Sequence, residues 1–146
     1  MTIDARLAEL GITLPDAPAP AANYVPFVIS GQMLFVSGQI SALKGRLGDD
    51  LSVAQGAEAA RGCGLSLLAQ AKAALGSLDR VARVVKLGGF VNSTGDFTDQ
   101  PEVINGCSDL MVEVFGDKGR HARSAVGVYR LPLGFAVEVD AIVEVK

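Results

Sequence analysis

Tryptophan is absent from this chain, and all aromatics together make up only 5% of its 146 residues. A protein so poor in rings has little surface on which bases could stack. Concentrated positive charge is missing too: 13 basic residues are scattered among 16 acidic ones, and the formal charge is -3. These shortages exclude a nucleic-acid footprint as the first reading. His121 is the single histidine, and Cys63 and Cys107 are the two cysteines. With no C-x-x-C or H-x-x-x-H spacing, the sequence predicts no metal site. Both cysteines fall inside helical patterns, which suits a reducing compartment and points to the cytoplasm. No run reaches about 18 apolar residues, and MTIDARLAEL alternates charge with apolar side chains, so no membrane span or signal peptide is expected. G-x-S-x-G, the P-loop and G-x-G-x-x-G are likewise missing.

What is present is aliphatic. Hydrophobic residues make up 49% of the sequence, enough for one domain with a core of Ala, Val and Leu. Ile3, Leu7 and Leu10 share one helical face that ends at Gly11, and Pro15, Pro18 and Pro20 then forbid helix. Residues 1–22 are therefore expected to form a helix and a proline-rich tether ahead of a domain spanning 23–146. Strands are expected over Tyr24–Ile29 and Met33–Ser37, separated by the turn Ser30-Gly31-Gln32. LKGRLGDD, residues 43–50, has the composition of an exposed edge strand or loop.

Residues 53–75 carry apolar side chains at three- and four-residue steps, the mark of a long helix. Gly56, Gly62 and Gly64 within it predict close packing on one face. Val81–Val91 predicts a strand with a bulge or a close approach at Gly88-Gly89. Asp99, Pro101 and Glu102 mark the start of a second long helix that stops at Gly116. Ala122–Tyr129 and Val137–Val145 predict two further strands, joined as a hairpin through Leu131–Gly134. Segregated elements of this kind favour an α+β sandwich with helices on one face of a mixed sheet.

Arg123 interrupts an otherwise small, apolar strand. On its face lie His121, Ala125, Gly127 and Tyr129, so the guanidinium is expected to project beside a void. Its planar fork suits a carboxylate ligand, and the competing reading is a structural pair with a nearby acidic side chain. Ser124 lies on the other face from His121, which leaves no Ser-His-Asp arrangement. In the last strand Val137, Val139, Ala141, Val143 and Val145 form the core row, with Glu138, Asp140 and Glu144 opposite. The expected hairpin sets Arg123 and Glu138 about 20 Å apart. A site using both would need a second subunit.

ARSAVGVYRLP followed by VEVDAIVEV resembles the C-terminal signature of the reactive-intermediate deaminase family, the YjgF-type or Rid proteins. NYVPFVISG, LFVSGQI and GFVNSTGDF resemble its N-terminal and central strands, so the likeness spans residues 23–146. It implies a chorismate-mutase-like α+β fold and a homotrimer with clefts between subunits. The implied activity is cofactor-free hydrolysis of small enamine or imine acids, such as 2-aminoacrylate, to a 2-keto acid and ammonia. By motif position, Arg123 matches the substrate-carboxylate arginine, Glu138 the glutamate that activates water, Tyr24 a tyrosine at the cleft mouth and Gly38 a glycine whose backbone meets substrate. Ala125 stands where many members have cysteine and Gly95 where they often have asparagine. With residues 1–22 and the insertion-like GDKGRH, these departures imply a divergent subgroup. The alternative expectations are a non-catalytic sensor of small carboxylates such as 2-keto acids and an endoribonuclease, against which the acidity and the lone histidine argue.

Overall fold

Capping chemistry opens two of the three helices of the computed structural model, which describes residues 1–20 and 22–146. α1 (Ile3–Glu9) begins at Thr2, whose hydroxyl accepts a hydrogen bond from the Ala5 amide at 3.1 Å. Leu7 reaches the core from this helix, and Arg6 Nε donates to the Glu113 carbonyl at 2.9 Å. α2 (Val53–Leu75) begins with a capping box between Ser52 and Gln55 and ends at Gly76, which adopts φ 80°. That left-handed turn is open to glycine because it has no Cβ to clash. α3 (Gln100–Phe115) has Pro101 in its first turn, but Asp99 makes no side-chain capping bond. Its backbone, at φ -94° and ψ 28°, lacks the extended geometry that turns an N-cap oxygen back onto the first amides.

β1 (Phe27–Ser30) and β2 (Met33–Ile40) form a hairpin across Gly31-Gln32, with Gly31 at φ 60°. Tyr24 lies ahead of β1, so the expected strand begins three residues late. β3 (Val81–Asn92), β4 (Ala122–Val128) and β5 (Val137–Val145) complete a five-stranded sheet of order β1-β2-β5-β3-β4. The predicted β4–β5 hairpin does not form. β4 runs parallel to β3, with α3 in the crossover, while β5 inserts between β2 and β3 and is antiparallel to both. Burial explains the swap: every second β5 residue is a buried Val or Ala, whereas β4 has no fully buried residue and takes an edge.

α2 and α3 cover one face of this mixed sheet, giving an α+β architecture. Leu87, Val91, Val139, Ile104 and Leu110 are completely shielded from solvent between the layers. Gly56 and Gly64 do pack closely, the first against Leu47 and Val103, the second against Leu110 and Cys107, but Gly62 has nothing near it. Gly88 and Gly89 also mark close approaches, to Asp140 and Ile104, whereas the register shifts of β3 against β5 fall earlier, between Val81 and Lys86. Residues 43–50 form the loop alternative, largely exposed and carrying only isolated bridges at Lys44 and Leu47; Leu47 pins it by full burial, and its amide donates to the Asn92 carbonyl at 2.9 Å.

Candidate functional site

Three of the four predicted site residues meet in one cleft. Tyr24, Gly38 and Glu138 line a cavity of about 570 Å³ at the β2–β5 end of the sheet, within the size range of small-molecule sites. Pro18 and Pro20 of the tether form part of its wall, and the Gln70 side-chain amide fixes the tether by donating to the Pro18 carbonyl at 2.6 Å. Leu133 lines another part. Among the described residues it is the one non-glycine with positive φ, 60°.

Glycine at position 38 makes room for the Glu138 carboxylate. A Cβ there would stand 2.5 Å from Glu138 Oε2, so the missing side chain is what lets the carboxylate lie against the β2 backbone. Burial raises the Glu138 carboxyl above its ordinary value of 4.5, and the negative charge of Asp140 adds to the effect. Asp140 is itself raised by burial, offset by the Gly88 amide and the positive charge of Lys86. A half-buried carboxylate of this kind has the basicity to take a proton from water.

Arg123 lies elsewhere. On β4 it is opposite Leu87, which is in turn opposite Ala141, and both of these are core residues. Its side chain therefore points to the helix layer. Glu138 is opposite Ile40 and Phe90, in the row that faces away from the helices. Two strand spacings and three residues of offset put the two Cα atoms about 14 Å apart, on opposite faces. Their separation within one chain stands, although the hairpin that predicted it does not.

The surroundings of Arg123 correct two further expectations. No void opens beside it at Gly127, where a Cβ would meet Ser93 Oγ at 2.6 Å and Gln100 Nε2 at 2.7 Å. Nor does it pair with an acidic side chain among the described residues. Nη1 donates to Asn105 Oδ1 at 2.8 Å and to Ser108 Oγ at 3.1 Å, and Nη2 donates to the Pro101 carbonyl at 3.3 Å. All three acceptors are neutral. His121 joins the group through Nε2, 2.8 Å from Ser108 Oγ, while its Nδ1 lies 2.6 Å from the Gly119 carbonyl. Asn105 and Ser108 escaped notice in the sequence. The signal available was the spacing 105, 108, which sets two oxygen-bearing side chains along one stripe of α3, while Pro101 adds only its backbone carbonyl.

Residues 4–144 match the family described as "YjgF/chorismate_mutase-like, putative endoribonuclease". The chain belongs to the YjgF/chorismate-mutase-like family. Protein TCP17 of Trypanosoma cruzi is 55% identical to it over 151 residues, covering 99% of this chain and 94% of that protein. The crystal structure of Atu1372 from Agrobacterium tumefaciens, a protein of unknown function, superposes with a TM-score of 0.92 at 51% identity, over 99% and 92% of the two chains. E. coli TdcF with bound serine superposes with a TM-score of 0.65 at 26% identity, over 89% and 94%. The YjgF-type sheet and its long helices thus carry the cleft and the arginine at separate places. No three His, Cys, Asp or Glu side chains converge as metal ligands would among the described residues. No described helix is long and apolar enough to cross a membrane.

Proposed function

We propose that this chain is a hydrolytic deaminase of small enamine and imine acids, releasing a 2-keto acid and ammonia in a cleft completed by a neighbouring subunit. The observation that carries the proposal is Arg123: its guanidinium is fixed by three neutral oxygens, and its charge is left without an anionic partner among the described residues. A cation prepared in this way suits the carboxylate of a ligand. Serine, a small carboxylate-bearing molecule, is bound in the TdcF relative.

In this reading Arg123 of one subunit holds the carboxylate while Tyr24, Gly38 and Glu138 of the next surround the imine. Glu138 takes a proton from water as the oxygen adds to the imine carbon, and returns it to nitrogen. The resulting carbinolamine passes its hydroxyl proton to nitrogen as C=O forms and the C–N bond breaks, so ammonia leaves. Clamping the carboxylate fixes the reacting carbon against that water.

The test generates 2-aminoacrylate enzymatically and follows its disappearance. Wild type should exceed the spontaneous rate, and Arg123→Ala should lower kcat/KM roughly a hundredfold or more, the scale of a lost bidentate charge-assisted contact. A wild type that adds nothing to the spontaneous rate yet binds 2-keto acids would replace the enzyme with a carboxylate-binding protein.

A further inference from the structure

We propose that the proline-rich tether is a specificity element of the cleft, held in place by Gln70, and that it selects a ligand with a branched aliphatic side chain. The inference rests on the reading above only in placing the ligand's reacting carbon beside Glu138. Gly38 and Glu138 supply the polar part of the cavity, but much of its wall is hydrocarbon: Pro18 and Pro20 of the tether, then Pro26, Leu133 and Phe135. A carboxylate or an imine nitrogen gains nothing from such walls. What they can bury is the ligand's side chain. The volume, about 570 Å³, lies in the range that encloses drug-sized ligands and far above the need of a three-carbon acid.

Two features hold these walls where they are. Gln70 lies in α2 and is only 1% exposed, and a buried amide is costly unless its hydrogen bonds are made. Its Nε2 spends one proton on the Pro18 carbonyl at 2.6 Å and the other on Gln39 Oε1 at 3.4 Å. Gln39 Nε2 donates in turn to the Ser37 carbonyl at 2.9 Å. Ser37 and Gln39 flank Gly38, where β2 shifts register against β5. The anchor of the tether is therefore wired to the irregularity that seats Glu138. Proline fixes φ, so one anchored carbonyl is enough to position a stiff segment. On another part of the wall, Leu133 adopts φ 60° and ψ 12°, a conformation disfavoured for a residue with a Cβ. The strained backbone keeps an apolar side chain 76% exposed at the cavity. A ligand side chain seated there would cover it.

Specificity of this kind is read by binding, independently of turnover. Calorimetric titrations of the full chain use pyruvate and 4-methyl-2-oxopentanoate, which share the 2-keto acid head and differ in a methyl against an isobutyl group. Wild type should bind the isobutyl acid roughly tenfold or more tightly, the scale of the extra buried carbons. Gln70→Leu keeps core volume and removes the donor. Pro18→Gly with Pro20→Gly loosens the wall, and Leu133→Gly removes the side chain while relieving the backbone. Each should shrink the preference by about fourfold or more, the worth of one buried methylene. With imines generated from leucine and alanine by an amino-acid oxidase, Gln70→Leu should raise KM for the leucine product more than it lowers kcat. A purely structural role would affect both substrates alike.

Equal binding of the two acids by wild type overturns the proposal, as does binding of neither. So does a preference that survives in both Gln70→Leu and the double proline variant. Thermal melts separate lost selectivity from lost fold. If Gln70→Leu does not fold, the proline and Leu133 variants decide, since those three residues are exposed. A wild type that selects the isobutyl acid but turns over no imine refutes the deaminase and leaves this inference standing. One that hydrolyses imines and binds both acids equally does the reverse.

Discussion

Glu138 and Asp140 are the carboxylates whose protons burial makes harder to lose, and the bias has a sign. Both carboxyls are raised, so the folded state holds its protons to higher pH than the unfolded chain does. Between the ordinary carboxylate values and the raised ones the native state binds more protons, so stability falls as pH rises and is lowest above the raised values. Asp140→Asn keeps an oxygen for the Gly88 amide and removes the charge. Its melting temperature should exceed that of wild type at pH 7, and the difference should shrink as pH falls through the carboxylate range. The same substitution removes the negative neighbour of Glu138. The acid limb of kcat/KM should therefore lie above the ordinary glutamate range in wild type and move to lower pH in Asp140→Asn. Gly38→Ala should leave the fold intact, since the clashing atoms belong to the mobile end of Glu138, but it should displace that carboxylate and lower kcat. A circular dichroism melt beside a rate measurement checks both halves.

The long helices are held together by the absence of side chains, and the glycines are not equivalent. A Cβ on Gly106 of α3 would collide with the Ala57 carbonyl of α2, backbone against backbone. Gly106→Ala should cost about 1–3 kcal/mol or more by forcing the helices apart. Gly62→Ala, with nothing near the new methyl, should stabilise by about 0.5–1 kcal/mol through helix propensity. Paired urea titrations of the two variants test the contrast. Helices were legible in the sequence because their apolar period and stop residues are local, as Gly11 and Gly116 illustrate. Gly106 was not, because its reason lies on another helix. The β4–β5 pairing was misread on similar grounds: Leu131–Gly134 has hairpin composition, but a turn does not specify which strand arrives beside the one that follows it. Motif position singled out Tyr24, Gly38 and Glu138 one by one, and the structure is what brings them to a single cavity. The hydrogen-bond chain through Ser108 and His121 needed β4 laid along α3, which no spacing within β4 conveys.

At the scale of the molecule, one sheet face lacks a covering layer. Val28 is opposite Phe35 and Ile40 lies in the Glu138 row, and all three of these apolar side chains are exposed, as is Val126 on the edge strand. Apolar surface of this extent on a sheet favours association. In solution the mass should be three times that of the 15.1 kDa chain, as light scattering would measure it. Phe35→Glu should lower that mass and the deaminase rate together, since Arg123 and Glu138 would then have no common cleft. A mass equal to one chain in an active protein would refute the shared site. The sheet order β1-β2-β5-β3-β4 also bears on synthesis. β5 is made after both of its neighbours, so a growing chain carries β1–β2 and β3–β4 as two separate ribbons with no hydrogen bonds between them. Until Val137–Val145 emerges, α2 and α3 have only half a floor to pack on. Completion of the fold is thus tied to the arrival of the same strand that brings Glu138, so the cleft and its half-buried carboxylate form together.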